Sequence, residues 1–127
     1  MVRRATTAIG LSHLRITLSE DFYIGPGRAD LMELIAETGS ISEAAKRMGM
    51  SYKRAWGLVQ ALNDGWGAPL VETARGGSTQ GGATLSEAGH DLLTRYRHMQ
   101  QATREAIADD VAALRSGHPS PSPSREG

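Results

Sequence analysis

Residues 40–62 read SISEAAKRMGMSYKRAWGLVQAL, and this stretch decides the predicted fold. Ser40 with Glu43 three residues later is typical of a capping box, so a short helix is predicted to begin here and to end at Gly49. Ser51 can cap the next helix, whose apolar side carries Ala55, Val59 and Leu62. Two short helices joined by a tight turn with glycine favour a helix-turn-helix, and a generic helical hairpin in a small bundle is the alternative.

The formal net charge of the whole chain is zero, because the sequence contains 14 Lys and Arg and 14 Asp and Glu. Such a balance by itself argues against a nucleic-acid partner, since DNA-binding proteins usually carry a basic excess that displaces phosphate counterions. The basic excess of this chain is local. Residues 21–37 are mainly acidic, whereas residues 40–66 carry Lys46, Arg47, Lys53 and Arg54. The second short helix is therefore predicted to have a polar, basic face, which also includes Tyr52 and Gln60.

Size and composition indicate one compact domain. The chain has 127 residues, 39% of them hydrophobic, and we assign residues 1–116 to the domain and the Pro/Ser-rich residues 117–127 to a disordered tail. No run reaches the roughly 18 apolar residues that a membrane span needs, and no signal peptide is recognisable. The chain has no cysteine, which excludes disulfides and thiolate metal sites. We therefore expect a cytoplasmic protein with no membrane partner.

Two elements are predicted before the helix-turn-helix. Apolar residues alternate with polar ones between Leu14 and Leu18, which predicts a short N-terminal strand. The break Gly25-Pro26-Gly27 can open a helix that ends at Gly39. The apolar face of that helix carries Leu31, Leu34 and Ile35.

A wing is predicted after the second short helix. Residues 70–73 and 83–85 are strand candidates, and residues 75–82 form a glycine-rich loop between them. The tip of such a hairpin can bring Arg75 and backbone N–H groups close to a phosphate backbone or a minor groove. A disordered surface hairpin is the alternative. A phosphate-binding P-loop is disfavoured, because no Gly-Lys-Ser/Thr follows the glycines.

A long amphipathic helix is predicted from Ser86 to the tail. Its apolar stripe comprises Leu92, Leu93, Tyr96, Met99, Ile107, Val111 and Leu114. A small winged domain covers only the first turns of such a helix, so the distal part needs another surface, and a second copy of the chain is the simplest one. The stripe therefore predicts a homodimer, with a helix that folds back onto its own domain as the alternative.

The motifs at residues 40–45, 51–56, 69–73 and 76–86 together resemble the N-terminal DNA-binding domain of the ModE molybdate-responsive regulators. The resemblance extends from about Leu14 into the last helix. It implies a dimeric winged helix-turn-helix, mainly α with a small β wing, that is distantly similar to the LysR-type DNA-binding domain. It also implies a sequence-specific regulator whose third helix enters the major groove of double-stranded DNA.

Carried over by position, the resemblance implies a set of DNA-contacting residues. The first turn of the recognition helix supplies most of them, one further contact follows two turns later, and the wing supplies one more. They are Ser51, Tyr52, Lys53, Arg54, Gln60 and Arg75.

Three more residues near the recognition helix have two interpretations each. Lys46 and Arg47 suit phosphate contacts from the end of the preceding helix, and they are equally compatible with a solvated surface. Trp56 is expected in the core, because aromatic side chains dominate core burial, and stacking near DNA is the alternative.

The chain departs from the full-length regulators of this type, which carry a C-terminal molybdate-binding region. Because it ends in a Pro/Ser tail, we expect no molybdate sensor, no cofactor and no tight molybdate binding in this chain. A cryptic pocket at the dimer interface is the alternative, with charge from Arg95, Arg97 or Arg104. For Arg95, an ordinary surface ion pair with Asp91 four residues earlier is at least as good an expectation.

No catalytic or metal-binding motif is recognisable. The spacing of the four histidines does not match a metal-binding motif; they are His13, His90, His98 and His118. No motif of a catalytic nucleophile is visible either. We therefore expect that the chain is not an enzyme. A protein-interaction module that uses the long helix is the alternative function. The sequence leaves open the operator, the direction of regulation and the signal.

Overall fold

The computed structural model describes residues 9–74 and 82–117. The predictions for Arg75, for the tip of the wing and for the disordered tail lie outside the described residues. Gly117, which the sequence analysis assigns to that tail, is the last residue of the final helix.

Four helices and two antiparallel strand pairs make up the described chain. Strand β1 pairs with β2, and strand β3 pairs with β4. The elements are β1 (Ile16–Ser19), β2 (Phe22–Ile24), α1 (Pro26–Thr38), α2 (Ile41–Met48), α3 (Tyr52–Trp66), β3 (Val71–Thr73), β4 (Ala83–Leu85) and α4 (Glu87–Gly117). This order confirms the predicted winged helix-turn-helix with a long C-terminal helix.

Side-chain caps fix where the two short helices begin. The Ser40 Oγ accepts a hydrogen bond from the backbone N–H of Glu43 at 3.0 Å, and the Ser51 Oγ accepts one from Arg54 at the same distance. The capping box at Ser40 is only half formed, because the Ser40 N–H donates to Thr38 Oγ1 instead of to Glu43. Gly49 has φ +71°, a backbone conformation that glycine adopts without a Cβ clash, so α2 ends where the sequence predicts.

The core lies where α1, α2 and α3 cross, and the strands of the wing close one side of it. Small side chains at the crossing are fully or almost fully buried: Ala44, Ala45 and Ala55. Larger apolar residues from α1 and α3 fill the space around them, among them Leu31, Ile35, Val59 and Leu62. These apolar side chains hold the two short helices in one fixed arrangement.

The hairpin of β1 and β2 differs from the single strand that the sequence predicts. Strand β2 contributes the buried Phe22 and Ile24, whereas Leu18 on β1 is 51% exposed. The hairpin approaches the end of α3 so closely that a Cβ at Gly65 would lie 2.8 Å from the Phe22 ring. Leu14 and Ile16 are partly buried against the core, as expected for a half-buried strand, whereas Leu18 is exposed.

Helix α4 packs on the buried core of the domain only along its first half. Leu92 and Tyr96 are buried, and the Tyr96 hydroxyl donates a hydrogen bond to the carbonyl oxygen of Leu14 at 2.6 Å. After Gln100 the helix is mostly exposed, and only Thr103, Ile107 and Val111 are partly covered. The expected surface ion pair between Asp91 and Arg95 forms at 2.9 Å. No helix within residues 9–74 and 82–117 is long and apolar enough to span a membrane.

Candidate nucleic-acid interface

Helix α3 has one buried side and one exposed side, and the exposed side begins at its first turn. Tyr52, Lys53 and Arg54 are all exposed, whereas Ala55 is 0% exposed. The cap at Ser51 fixes the first turn, so the three side chains project from an ordered backbone. Gln60, two turns later, is partly buried. The structure thus exposes the predicted recognition residues of the first turn, but Tyr52 lines a groove on the wing side of α3 and Arg54 lines a cavity on the opposite side.

Trp56 lies on the surface, so the interpretation of this residue as part of the core is wrong. Its side chain is 37% exposed, and its ring stacks on Tyr52 with centroids 6.4 Å apart and an angle of 16° between the planes. The physical reason is that the interior of α3 is already filled by small and aliphatic residues. The stacked pair forms an exposed aromatic platform beside Lys53.

A groove of about 250 Å³ separates this platform from the wing. The start of α2 forms one wall of the groove with Ser40, Ile41 and Ser42, and the base of the wing forms another with Thr73 and Ala74. Ala74, which lines the groove, directly precedes Arg75 in the sequence and is the last described residue before it. Sequence reasoning missed Ser42 and Trp56 as groove residues, because their proximity to the wing is a tertiary feature.

The base of the wing is attached to α3 by one side chain. Asn63 Oδ1 accepts hydrogen bonds from the backbone N–H groups of Leu70 at 2.8 Å and Val71 at 3.1 Å. Its Nδ2 donates to the Val71 carbonyl oxygen at 3.0 Å. The Ala83 N–H donates to the carbonyl oxygen of Gly39 at 2.9 Å, which attaches the second wing strand to the end of α1. These bonds fix the position of the wing relative to α3.

Lys46 and Arg47 lie on the exposed side of α2, away from the groove. Lys46 is 3.8 Å from Glu43, and both side chains of this pair are well exposed, so the interaction contributes little to stability. Arg47 lines a small cavity of about 110 Å³ together with Asp30, Leu34 and Met48. The structure therefore places these two basic residues on a different surface from the start of α3.

An ion-pair cluster joins α4 to α1. The Arg97 guanidinium contacts Asp30 at 2.8 Å and Glu33 at 2.7 Å, and it also donates to Gln100 at 3.0 Å. Burial lowers the pKa of Arg97, but the hydrogen bonds and charges of the two carboxylates outweigh burial and the net pKa is raised. Arg97 is thus committed to a structural contact with α1, which sequence spacing within α4 does not reveal.

Burial also determines the direction in which the pKa of the neighbouring Tyr96 is shifted. It raises the pKa of the Tyr96 hydroxyl above its ordinary value, although the nearby Arg97 charge acts in the opposite direction. The neutral hydroxyl therefore keeps its hydrogen bond to Leu14 well above neutral pH. Together, Tyr96 and Arg97 fix the angle at which α4 leaves the helix-turn-helix.

Residues 29–90 match the family model of the bacterial regulatory helix-turn-helix proteins of the lysR family. A solved structure with a similar fold, described as the CbnR_DBD-DNA complex, has a TM-score of 0.53 and 31% sequence identity, and the match covers 68% of this chain and 95% of that one. Residues 29–90 thus form a helix-turn-helix domain of the lysR type. The predicted kinship with LysR-type DNA-binding domains is confirmed.

Several curated relatives of this chain carry names that refer to molybdenum or to the ModE regulators. The molybdenum-pterin-binding protein MopB of Rhodobacter capsulatus is 48% identical over 91 residues, which are 72% of this chain and 34% of the relative. The DNA-binding transcriptional dual regulator ModE of Escherichia coli K12 is 37% identical over 102 residues, which are 78% of this chain and 39% of the relative. The resemblance to ModE-type regulators is confirmed, and the chain spans between a third and two fifths of the length of these relatives.

No group of three or more histidine, aspartate or glutamate side chains within the described ranges has a geometry that could hold a metal ion. The matched relative ModE is described as a regulator of transcription, not as an enzyme.

Proposed function

We propose that this chain is a sequence-specific DNA-binding regulator of transcription that acts on molybdenum-related genes. The observation that carries the proposal is the ordered, exposed first turn of α3, which lies next to the groove and the wing of a lysR-family domain. The relation to molybdenum is supported by the printed names of its relatives.

In this proposal the first turn of α3 recognises the DNA sequence, and we call residues 51–54 the reading head. Ser51, Tyr52, Lys53 and Arg54 contact base edges and phosphates in the major groove, and Gln60 adds a contact further along the helix. An Arg or Lys side chain at this position can donate to guanine O6 and N7, which distinguishes G·C from the other base pairs.

Flanking residues position the domain on the DNA backbone in the same proposal. Arg75 contacts the backbone or the minor groove from the wing, and Lys46 and Arg47 contact phosphates from α2. Such contacts raise affinity for every sequence alike and make binding depend strongly on salt.

The proposed functional unit is a homodimer formed through the distal half of α4. Residues 9–11 run along this half and leave an apolar groove of about 230 Å³, to which Ile107 and Val111 contribute. Leu114 is 72% exposed and Ile9 is 67% exposed, so apolar surface remains uncovered both on the distal half of α4 and on the segment beside it. A second copy of α4 would cover this surface and would place two reading heads on two half-sites. We assign residues 1–116 to this DNA-binding and dimerisation domain and residues 117–127 to a tail.

Selection of preferred sequences from a random DNA pool tests the proposal. A sequence-specific dimer should enrich a motif with twofold symmetry, and gel-shift titration should show tighter binding to that motif than to a scrambled duplex of equal length. Enrichment of no motif, together with equal binding to both duplexes, would contradict the proposal. That result would favour an interaction module based on α4.

A further inference from the structure

A second basic feature lies on the other side of α3 from the wing. It is a cavity of about 230 Å³ between the β1–β2 hairpin, the start of α1 and the flank of α3. We name it the basic cavity, and its lining includes His13, Arg15, Arg28 and Arg54. The DNA-contacting set implied by the sequence contains only Arg54 of these four.

The guanidinium groups of Arg15 and Arg28 are held against the same aromatic ring. Their central carbon atoms lie 3.7 Å and 3.9 Å from the centroid of the Tyr23 ring, within the range of cation–π attraction. The Arg28 Nη1 also donates to the carbonyl oxygen of Tyr23 at 3.1 Å. Tyr23 thus holds both guanidinium groups beside the basic cavity.

These charges have no counter-charge nearby. Among the residues that the structure describes, no carboxylate lies within 4.0 Å of the guanidinium groups of Arg15, Arg28 or Arg54. Like charges that line one cavity repel each other, so an anion in the basic cavity would reduce this repulsion.

The start of α1 adds to this positive potential. Its cap residue Gly25 makes no side-chain capping bond, and the first turn of the helix contains no acidic residue. A Cβ placed on Gly27, which also lines the cavity, would meet no atom within 4 Å, so the backbone there is open to a ligand. The positive end of the helix dipole supports the guanidinium groups but does not define the site by itself.

We propose that the basic cavity binds one tetrahedral oxyanion of the phosphate type. Guanidinium groups match such an anion because their planar N–H pairs can donate two parallel hydrogen bonds to it. The anion can be a phosphate of the DNA backbone or a free ion in solution. The first source rests on the proposed function, and it is favoured because Arg54 joins the basic cavity to the reading head of α3.

Two matched variants and one control test the DNA source. Arg15→Gln and Arg28→Gln each remove one guanidinium from the basic cavity, whereas Arg95→Gln removes one from the exposed surface of α4. Binding of the full chain to cognate and scrambled duplexes is measured against salt concentration. For a backbone phosphate, each cavity variant should weaken binding to both duplexes by the same factor and lower the slope of log K against log salt by about 1. Arg95→Gln should leave the slope unchanged.

A titration without DNA tests the free-ion source. Inorganic phosphate is added to the isotope-labelled full chain at constant ionic strength, and amide spectra are recorded. The backbone amides of Gly27 and Arg28 should shift in a saturable way, and the shifts should disappear in Arg15→Gln. Arg15→Gln is used here because Arg28 also donates a hydrogen bond to the Tyr23 carbonyl oxygen. An unchanged amide spectrum of Arg15→Gln away from the basic cavity shows that the fold is intact.

The combined results decide the inference. A lower salt slope assigns the anion to DNA, and a saturable phosphate titration with an unchanged slope assigns it to a free oxyanion. An unchanged slope together with the absence of saturable shifts would overturn the basic cavity as an anion site. If the wild-type chain binds no DNA, the proposed function fails, and the phosphate titration still decides whether the basic cavity binds an oxyanion.

Discussion

Replacing Gly89 by alanine should destabilise the fold, because α4 passes the base of the wing at this residue with no room for a side chain. A Cβ at this position would collide with the carbonyl oxygen of Leu70 and would lie 3.1 Å from its carbonyl carbon and 3.3 Å from the Leu85 Cβ. The same Leu70 oxygen accepts a hydrogen bond from the Ser86 N–H at 2.9 Å, so it cannot move away without loss of that bond.

The magnitude follows from two opposing effects. An alanine in place of glycine inside a helix stabilises it by about 1 kcal/mol when the Cβ meets nothing. Inserting a group into packed backbone costs about 1–3 kcal/mol, and the weakened bond to Leu70 adds about 1 kcal/mol. Gly89→Ala should therefore lower the free energy of unfolding by about 1–3 kcal/mol.

Gly57→Ala is the matched control, because this glycine is also inside a helix and a Cβ there would meet no atom within 4 Å. Urea unfolding and thermal melts measure both variants. Gly89→Ala should melt at least about 4 °C below the wild type, and Gly57→Ala should melt at or above it. A Gly89→Ala protein as stable as the wild type would refute the close approach of α4 to the wing.

Three further predictions concern the pH dependence of stability, the proposed dimer and the binding of molybdate. Burial raises the pKa of the Tyr96 hydroxyl above 10.0, so the stabilisation by the neutral hydroxyl is present below pH 10 and is lost as the pH rises through the folded-state pKa. The free energy of unfolding should therefore fall more steeply above pH 10 in the wild type than in Tyr96→Phe. Equal slopes in the two proteins would contradict this prediction. Ile107→Asp places an unpaired charge in the proposed dimer interface, so sedimentation at micromolar concentration should show a dimer for the wild type and a monomer for the variant; a monomeric wild type rules the interface out. Calorimetric titration should show no saturable micromolar binding of molybdate beyond that of sulfate, and binding selective for molybdate would contradict this prediction.

Local sequence signals predicted the helices well. Serine caps and left-handed glycines act within one turn of the chain, so Ser40, Ser51, Gly39 and Gly49 mark helix ends whatever the rest of the fold does. The wing strands were predicted for a similar reason, because glycine-rich connections interrupt any regular element.

Features that depend on distant residues were missed or misjudged. Strand β2 is only three residues long and exists because Phe22 packs against α3. Trp56 is exposed because smaller residues already fill the interior of α3. The ionic partners of Arg97 are more than 60 positions earlier in the chain, as the separations of its hydrogen bonds show. The basic cavity likewise combines three elements that no local pattern connects.

The central claim is that the first turn of α3 reads DNA sequence, and the binding of Lys53→Ala and Arg54→Ala to the selected motif and to its single-base variants tests it most directly. Removing a residue that contacts a base edge should weaken the binding free energy for the cognate site by about 1–3 kcal/mol. Discrimination should then be lost at one base pair and remain at the others. A residue that contacts only phosphate should weaken all duplexes alike. We predict that at least one of the two variants relaxes specificity at a defined position. Cognate affinity and specificity that are unchanged in both variants would contradict the assignment of α3 as the recognition helix.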